Sequence, residues 1–296
     1  MLSITESVFL PWALSTIARS HGFFEEAGVE VTSTLTSSST AQRASVMDGS
    51  VDVAVTATDN LFAWNAAGAA AELDGIAVFA QIDTTAQMVL GVRPGLGSLQ
   101  EAERLRLAVD APFNGFAIAA YAMLKHLGLS RDQYDVVEVG GVRQRFEDLM
   151  ATTIDVTLLG PPLDEIGAAK GMSIAVRFQE ISPDYPGMGI VAGRRRLASK
   201  SDAVSAYLTG LERARSWLGS APVADVVREL EPSGIGPAAV ASMLSTVPDS
   251  FEPSLRGLEL LAELRGDVDL SIAEAPAPHE LVELGPLRRA GLLPSD

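Results

Sequence analysis

Twice along the chain, 103 residues apart, a helical pattern carrying Met is followed by an apolar-Asp-apolar step into a short apolar run. Met47 leads to Val51-Asp52-Val53, and Met150 leads to Ile154-Asp155-Val156. Each run then stops abruptly, on Thr56-Ala57-Thr58-Asp59-Asn60 in one case and on Gly160-Pro161-Pro162-Leu163-Asp164 in the other. A β-branched run of this kind reads as a strand buried on both faces, and the pattern after each stop reads as a helix. The same point of the same αβα order is thus reached twice, which predicts one architecture built in duplicate.

The rest of the chain fits that order. Strands are expected at about 2–5, 29–35, 51–56 and 76–82, with helices at about 10–20, 39–48 and 60–68. A second set follows, from the strand ending at Val109 to Phe178. Strand and helix in alternation imply mostly parallel, doubly wound sheets. Beyond Phe178 one short strand precedes helices at about 199–218, 221–230, 236–245 and 254–264. Helices without strands of their own must pack on an existing sheet. The expected fold class is therefore α/β, two similar doubly wound lobes with a hinge and an interlobe ligand cleft. Residues 1–84 begin lobe one, 85–184 form lobe two, and 185–296 return to lobe one with the C-terminal helices. Hinges near Asp83–Ala86 and Pro183–Gly187 would permit closure around a ligand.

Composition narrows the functions. The 296 residues are 47% hydrophobic and 20% charged, enough for a large core. A formal charge of −16, with only three Lys among 22 basic residues, argues against a nucleic-acid partner. The basic run at 193–200 reads as a solvated helix start. With no Cys, a thiol nucleophile, a Cys-ligated zinc and a disulfide framework are excluded. No apolar run approaches the roughly 18 residues of a membrane span, and residues 1–12 lack the pattern of a signal peptide. A cytoplasmic location is expected if Met1 is the native start, and a periplasmic or extracellular one if a leader has been removed.

Four segments together resemble one family. "ARSHGFFEEAGVEV", "MDGSVDVAVTATDNLFAWNAAGA", "GVRPGLGSLQEAERLRLAVDAPFNGFAIAAYAMLKHLGL" and the terminal "GLLP" are similar, in this order, to the type II periplasmic solute-binding proteins. The similarity is to the branch holding the alkanesulfonate, nitrate and thiamine-pyrimidine binding proteins. It implies a small-molecule ligand, an ABC transporter permease as a possible partner, and no cofactor. The chain departs from that pattern in lacking an export signal and a lipid-bearing Cys. It also carries Asp59 and Asn60 where the family has a small Gly-Ser type loop, which weakens the expectation of an anionic ligand. Some proteins of this fold class are cytoplasmic enzymes, including thiamine-pyrimidine synthases, whose Cys-rich motif is absent here, menaquinone-pathway enzymes and dihydroxyphthalate decarboxylases.

Ligands of open α/β sheets bind at the carboxyl ends of the strands, where helix N-termini offer free N–H groups. Ser38, Ser39, Thr40, Thr58, Asp59 and Asn60 of lobe one, and Asp110, Phe113, Asn114, Arg143 and Pro161 of lobe two, stand at such edges. Ser and Thr there are helix caps or ligand hydroxyls. Asp59 is a cap, a partner for a cationic group, or a base; on the ligand reading Asp59→Asn weakens affinity. Asp110 with Asn114 is a turn plus cap or a recognition element. Arg143 and Arg145 are solvent-facing or clamp a carboxylate. Phe9, Trp12 and Phe113 are candidates to stack on a flat ligand, whereas Trp64 and Phe116 read as core. Glu6, expected just after the first strand, is a loop charge or a cleft carboxylate.

The three His residues do not converge, no HExxH spacing exists, and no metal site or dinucleotide fingerprint is expected. Two readings remain: a binding protein that closes on a small organic acid, sulfonate or heterocycle, and an enzyme on the same scaffold. The enzyme would use Glu6, Asp59 and Asp110, with Asp164 a further cleft carboxylate, for acid–base chemistry such as decarboxylation or elimination.

Overall fold

Strict alternation places Ile4, Glu6 and Val8 of β1 (Leu2–Val8) on one buried face, so the strand runs three residues beyond its expected end. The computed structural model describes residues 1–270, 272 and 274–294. After β1 come α1 (Ala13–Ser20), α2 (Phe23–Glu26), β2 (Val29–Leu35), α3 (Ser39–Met47), β3 (Val53–Ala57), α4 (Asn60–Asn65) and β4 (Ile76–Gln81). The next set is β5 (Val89–Val92), β6 (Leu105–Val109), α5 (Gly115–His126), β7 (Tyr134–Glu138), α6 (Val142–Met150), β8 (Val156–Leu159), α7 (Leu163–Ala169) and β9 (Ser173–Arg177). The chain ends with β10 (Met188–Gly193), α8 (Arg194–Ser199), α9 (Ser201–Ser220), α10 (Val223–Leu230), α11 (Pro237–Leu244), α12 (Leu255–Asp267) and α13 (Gly285–Arg289).

The strands form two five-stranded sheets with matching orders, β2-β1-β3-β10-β4 and β7-β6-β8-β5-β9. Each holds four mutually parallel strands and one antiparallel strand, β10 in the first and β5 in the second. Those two strands are the ones entered as the chain crosses between sheets, from β4 into β5 and from β9 into β10. The sheets are thus mostly rather than wholly parallel, and β5 is a strand that the sequence pattern did not reveal.

The duplicated Asp has one job in both lobes. Asp52 accepts a hydrogen bond from the Thr5 amide at 2.8 Å and donates its own amide to the Thr5 carbonyl. Asp155 does the same with Arg106, also at 2.8 Å through its carboxylate. Each carboxylate, buried at the start of a central strand, thereby fixes that strand against its neighbour. Cations complete both sites: Lys200 at 2.8 Å and Arg196 at 3.6 Å for Asp52, and Arg93 at 2.7 Å and Arg106 at 3.1 Å for Asp155. The basic run at 193–200 is therefore partly spent on the fold, with Arg194 also pairing with Glu283.

Two apolar layers cover the first sheet. One packs Ile4, Val53, Val55 and Phe79 against α1 and α9 through Ile17, Tyr207 and Leu211. The other is continuous between the lobes: Leu61, Trp64 and Val78 join Leu107, Ile118 and Met123 of lobe two and Leu258 and Leu261 of α12. Helix α12 thus seals the two lobes along one side and leaves the cleft on the other.

Candidate functional site

The residues after β2, β3 and β6 meet one another across the lobe boundary. Ser38 caps α3 by accepting from the Ala41 amide. Ser39, the first residue of that helix, donates its amide at 3.1 Å and its hydroxyl at 2.6 Å to Asp110 of lobe two. Asn114 donates to Asp110 at 3.1 Å, and the Gly115 amide donates to Asn60 Oδ1 at 3.3 Å. Asn60 in turn donates to Thr56 at 2.9 Å. The helix N-terminus that a ligand anion would be drawn to is already occupied by an internal carboxylate. Thr40 is exposed, and Thr58 is buried with its hydroxyl unpartnered among the described residues.

Asp59 is bound by a residue that no local pattern connects to it. Arg265 of α12 grips both carboxylate oxygens, Nε to Oδ1 at 2.8 Å and Nη2 to Oδ2, and also donates to the Phe113 carbonyl at 2.9 Å. Both side chains are buried. Burial pushes the Asp59 carboxyl up from the ordinary carboxylate value, and the Arg265 guanidinium pulls it back. This is a clasp holding α12, lobe one and lobe two together. Phe113 itself is 61% exposed.

Glu6 is not a cleft residue. Because β1 continues to Val8, its carboxylate enters the core, where Ser15 and Ser33 each donate at 2.6 Å, Tyr207 at 2.7 Å and Trp12 Nε1 at 3.4 Å. Four donors hold a fully buried carboxylate, which positions the Trp12 ring from behind. Arg145 is buried as well, donating to the Gly140 carbonyl at 2.6 Å, and does not form a clamp with Arg143.

A cavity of about 530 Å³ lies beside this seam, between the β1–α1 turn, the first crossover, the α6 and α7 N-termini and the segment around α11. Of the residues expected to touch ligand, Trp12, Arg143 and Pro161 line it; Phe9, Ser38, Ser39, Thr40, Thr58, Asp59, Asn60, Phe113 and Asn114 do not, nor do Glu6 and Asp110. Its walls are mostly apolar, with Leu163, Ile166, Ile235 and Met243 prominent. Arg143 is its cation and is exposed, with no hydrogen bond or ion pair to any described residue.

The cavity's anion is Asp83, which the sequence placed in a hinge and not in a site. It accepts from the Gly187 and Met188 amides at 2.8 and 3.0 Å, tying the two crossovers together. Though its edge is open to the cavity, dense packing pushes the carboxyl up to about 7, against those two amides. Thr85, Gln87, Ser242 and Thr246 add polar atoms. Three features explain why these were missed: the first crossover has no periodicity, the 233–247 segment belongs to the helical return, and Arg265 lies 206 residues from Asp59. Among the described residues no group of three or more His, Asp or Glu could hold a metal ion, and no helix is long and apolar enough to cross a membrane.

Two lobes of matching strand order, joined by two crossovers with a cavity between them, define the type II periplasmic binding protein fold. Its solved neighbours agree. A protein of Bordetella bronchiseptica RB50 superposes with a TM-score of 0.78 at 18% identity, covering 98% of this chain and 97% of that one. The ligand-binding component of an ABC-type import system from Staphylococcus aureus, with zinc bound, gives 0.77 at 12%, covering 98% and 99%. The alkanesulfonate-binding protein SsuA from Xanthomonas axonopodis pv. citri, bound to MOPS, gives 0.73 at 16%, covering 95% and 98%. No curated protein sequence matches. The model of the NMT1/THI5-like family matches residues 13–224, and the chain belongs to that family.

Proposed function

We propose that the protein binds a small organic acid, a carboxylate or sulfonate with an apolar body, in the cavity between its lobes, and serves as a solute-binding component whose partner is an ABC transporter permease. The observation that carries this is Arg143: an unpaired guanidinium at the rim of an apolar interlobe cavity. Such a group meets an acid in two-pronged fashion, while Trp12, Pro161 and Ile166 offer apolar surface to the remainder. The lobes on this reading divide near residues 84 and 184, which the sheet membership of β4 against β5 and of β9 against β10 supports. Structures of similar fold that are ligand-binding and alkanesulfonate-binding proteins support the binding role.

An enzymatic role has less behind it. The carboxylates offered for acid–base chemistry are engaged elsewhere: Glu6 in the core, Asp59 with Arg265, and Asp110 with Ser39. The test is a thermal-shift screen of the full chain against organic acids, sulfonates, pyrimidines and amines, each hit then followed by mass spectrometry. An acid that raises Tm and stays chemically unchanged fits the proposal; at a hundred times Kd it stabilises by about 2.7 kcal/mol. An acid consumed to product makes the protein an enzyme.

A further inference from the structure

Beside the main cavity, and sharing Gln87, Pro161 and Ser242 with it, is a second chamber of about 460 Å³. Its wall includes Asp164, on the first turn of α7. That residue is only 6% exposed, yet its carboxylate receives no hydrogen bond and no ion pair from any described residue, and Oδ1 is shut off from solvent. Every other carboxylate buried to this degree among the described residues has donors: Glu6 has four, Asp52 a backbone amide and Lys200, Asp59 has Arg265, and Asp155 has two arginines. A buried ionised carboxylate without a partner is costly, and the cost is relieved by a positive, hydrogen-bond-donating group at its side. The chamber's other charged residues, Arg177 and Glu180, are both exposed and offset each other, leaving Asp164 as the net charge.

We infer that this chamber is a subsite for a cationic, hydrogen-bond-donating group, an ammonium or amidinium, and that the ligand is amphoteric, with its acid at Arg143 and its basic group at Asp164. The two chambers share Gln87, Pro161 and Ser242 in their linings, so the acid and basic ends of one elongated molecule are assigned to neighbouring spaces. This rests on the proposed acid site at Arg143 and specifies what the other end of the ligand carries.

The experiment is calorimetric titration of the full chain, wild type and Asp164→Asn, with three sets of probes: ω-aryl carboxylates, the corresponding amines, and aminomethyl-aryl carboxylates with spacers of one to three carbons. The expected result is at least tenfold tighter binding of one amphoteric probe than of its carboxylate parent, a ratio that Asp164→Asn brings to about one. Equal affinity of parent and amphoteric probes, or a gain that survives in Asp164→Asn, overturns the inference and leaves the acid site standing. Failure of all carboxylates, amphoteric ones included, to bind overturns both. Melting curves supply an independent check. Asp164→Asn is expected to melt no lower than wild type, because the carboxylate has no partner to lose; a clear fall in Tm would reveal a structural role and count against the subsite.

Discussion

Glu6 and Asp59 show what decides whether a carboxylate binds ligand or holds the fold: the number of donors already around it. Glu6 sits among Ser15, Ser33, Tyr207 and Trp12, and Asp59 is gripped by Arg265. Replacing Asp59 by Ala strands a buried guanidinium, and the expected cost is about 3–5 kcal/mol in urea unfolding. The double variant Asp59→Leu, Arg265→Met, with no stranded charge, should recover much of that loss; equal loss in the two would show that the pair contributes nothing special. Asp83 behaves differently. Its carboxyl is raised to about 7 in the folded chain from an ordinary 3.8, so between those values the folded state binds the proton more tightly, and this residue's contribution falls as pH rises from about 4 to 7. At one pH unit per 1.36 kcal/mol the full effect is at most about 4 kcal/mol. The stability of wild type relative to Asp83→Asn should therefore improve as pH is lowered from 8 to 5, and a difference that is flat with pH would contradict the shift.

At the scale of elements, the strand-to-helix order and the duplicated apolar-Asp-apolar step were readable because buried parallel strands have a distinct pattern. The start of β5 at Val89 was not, since four residues with Gly91 among them carry no periodicity. An added Cβ at Gly91 would lie 2.8 Å from Met172 Sδ, so Met172 would have to shift to admit it. Of the residues expected at the cleft, Trp12, Arg143 and Pro161 line the candidate cavity, and the rest do not, because strand-edge reasoning finds rim positions but not which rim residues satisfy one another. Ser39 and Asp110 were both expected at the cleft; that they would bond to each other depends on the distance between lobes, which no sequence pattern encodes. Gly115 sets that distance. A Cβ there would stand 2.6 Å from the Cβ of Asp59, a contact neither partner can relieve by changing rotamer. Gly115→Ala is expected to cost about 1–3 kcal/mol and to widen the seam, read as a larger radius of gyration by small-angle scattering. A stable variant of unchanged radius would show that the lobes are not held at this point.

For the whole molecule, the balance is between a sealed side and an open one. The core shared by α5, β4 and α12, with the Asp59–Arg265 clasp above it, ties the lobes along one edge, and the cavity lies along the other, where Asp83 links the two crossovers. On the proposed reading, closure on a ligand would draw the α6 and α7 ends toward the β1–α1 turn and the 233–247 segment, with Arg143 as the charged contact. The central claim is that an acid binds at this guanidinium. The direct measurement is a calorimetric titration of wild type and Arg143→Ala with the strongest organic acid found by thermal shift. One-to-one binding that weakens at least tenfold in Arg143→Ala, with the fold intact, is the predicted result. Affinity unchanged in Arg143→Ala but lost in Asp110→Asn would contradict it and move the ligand to the Ser39–Asp110 seam.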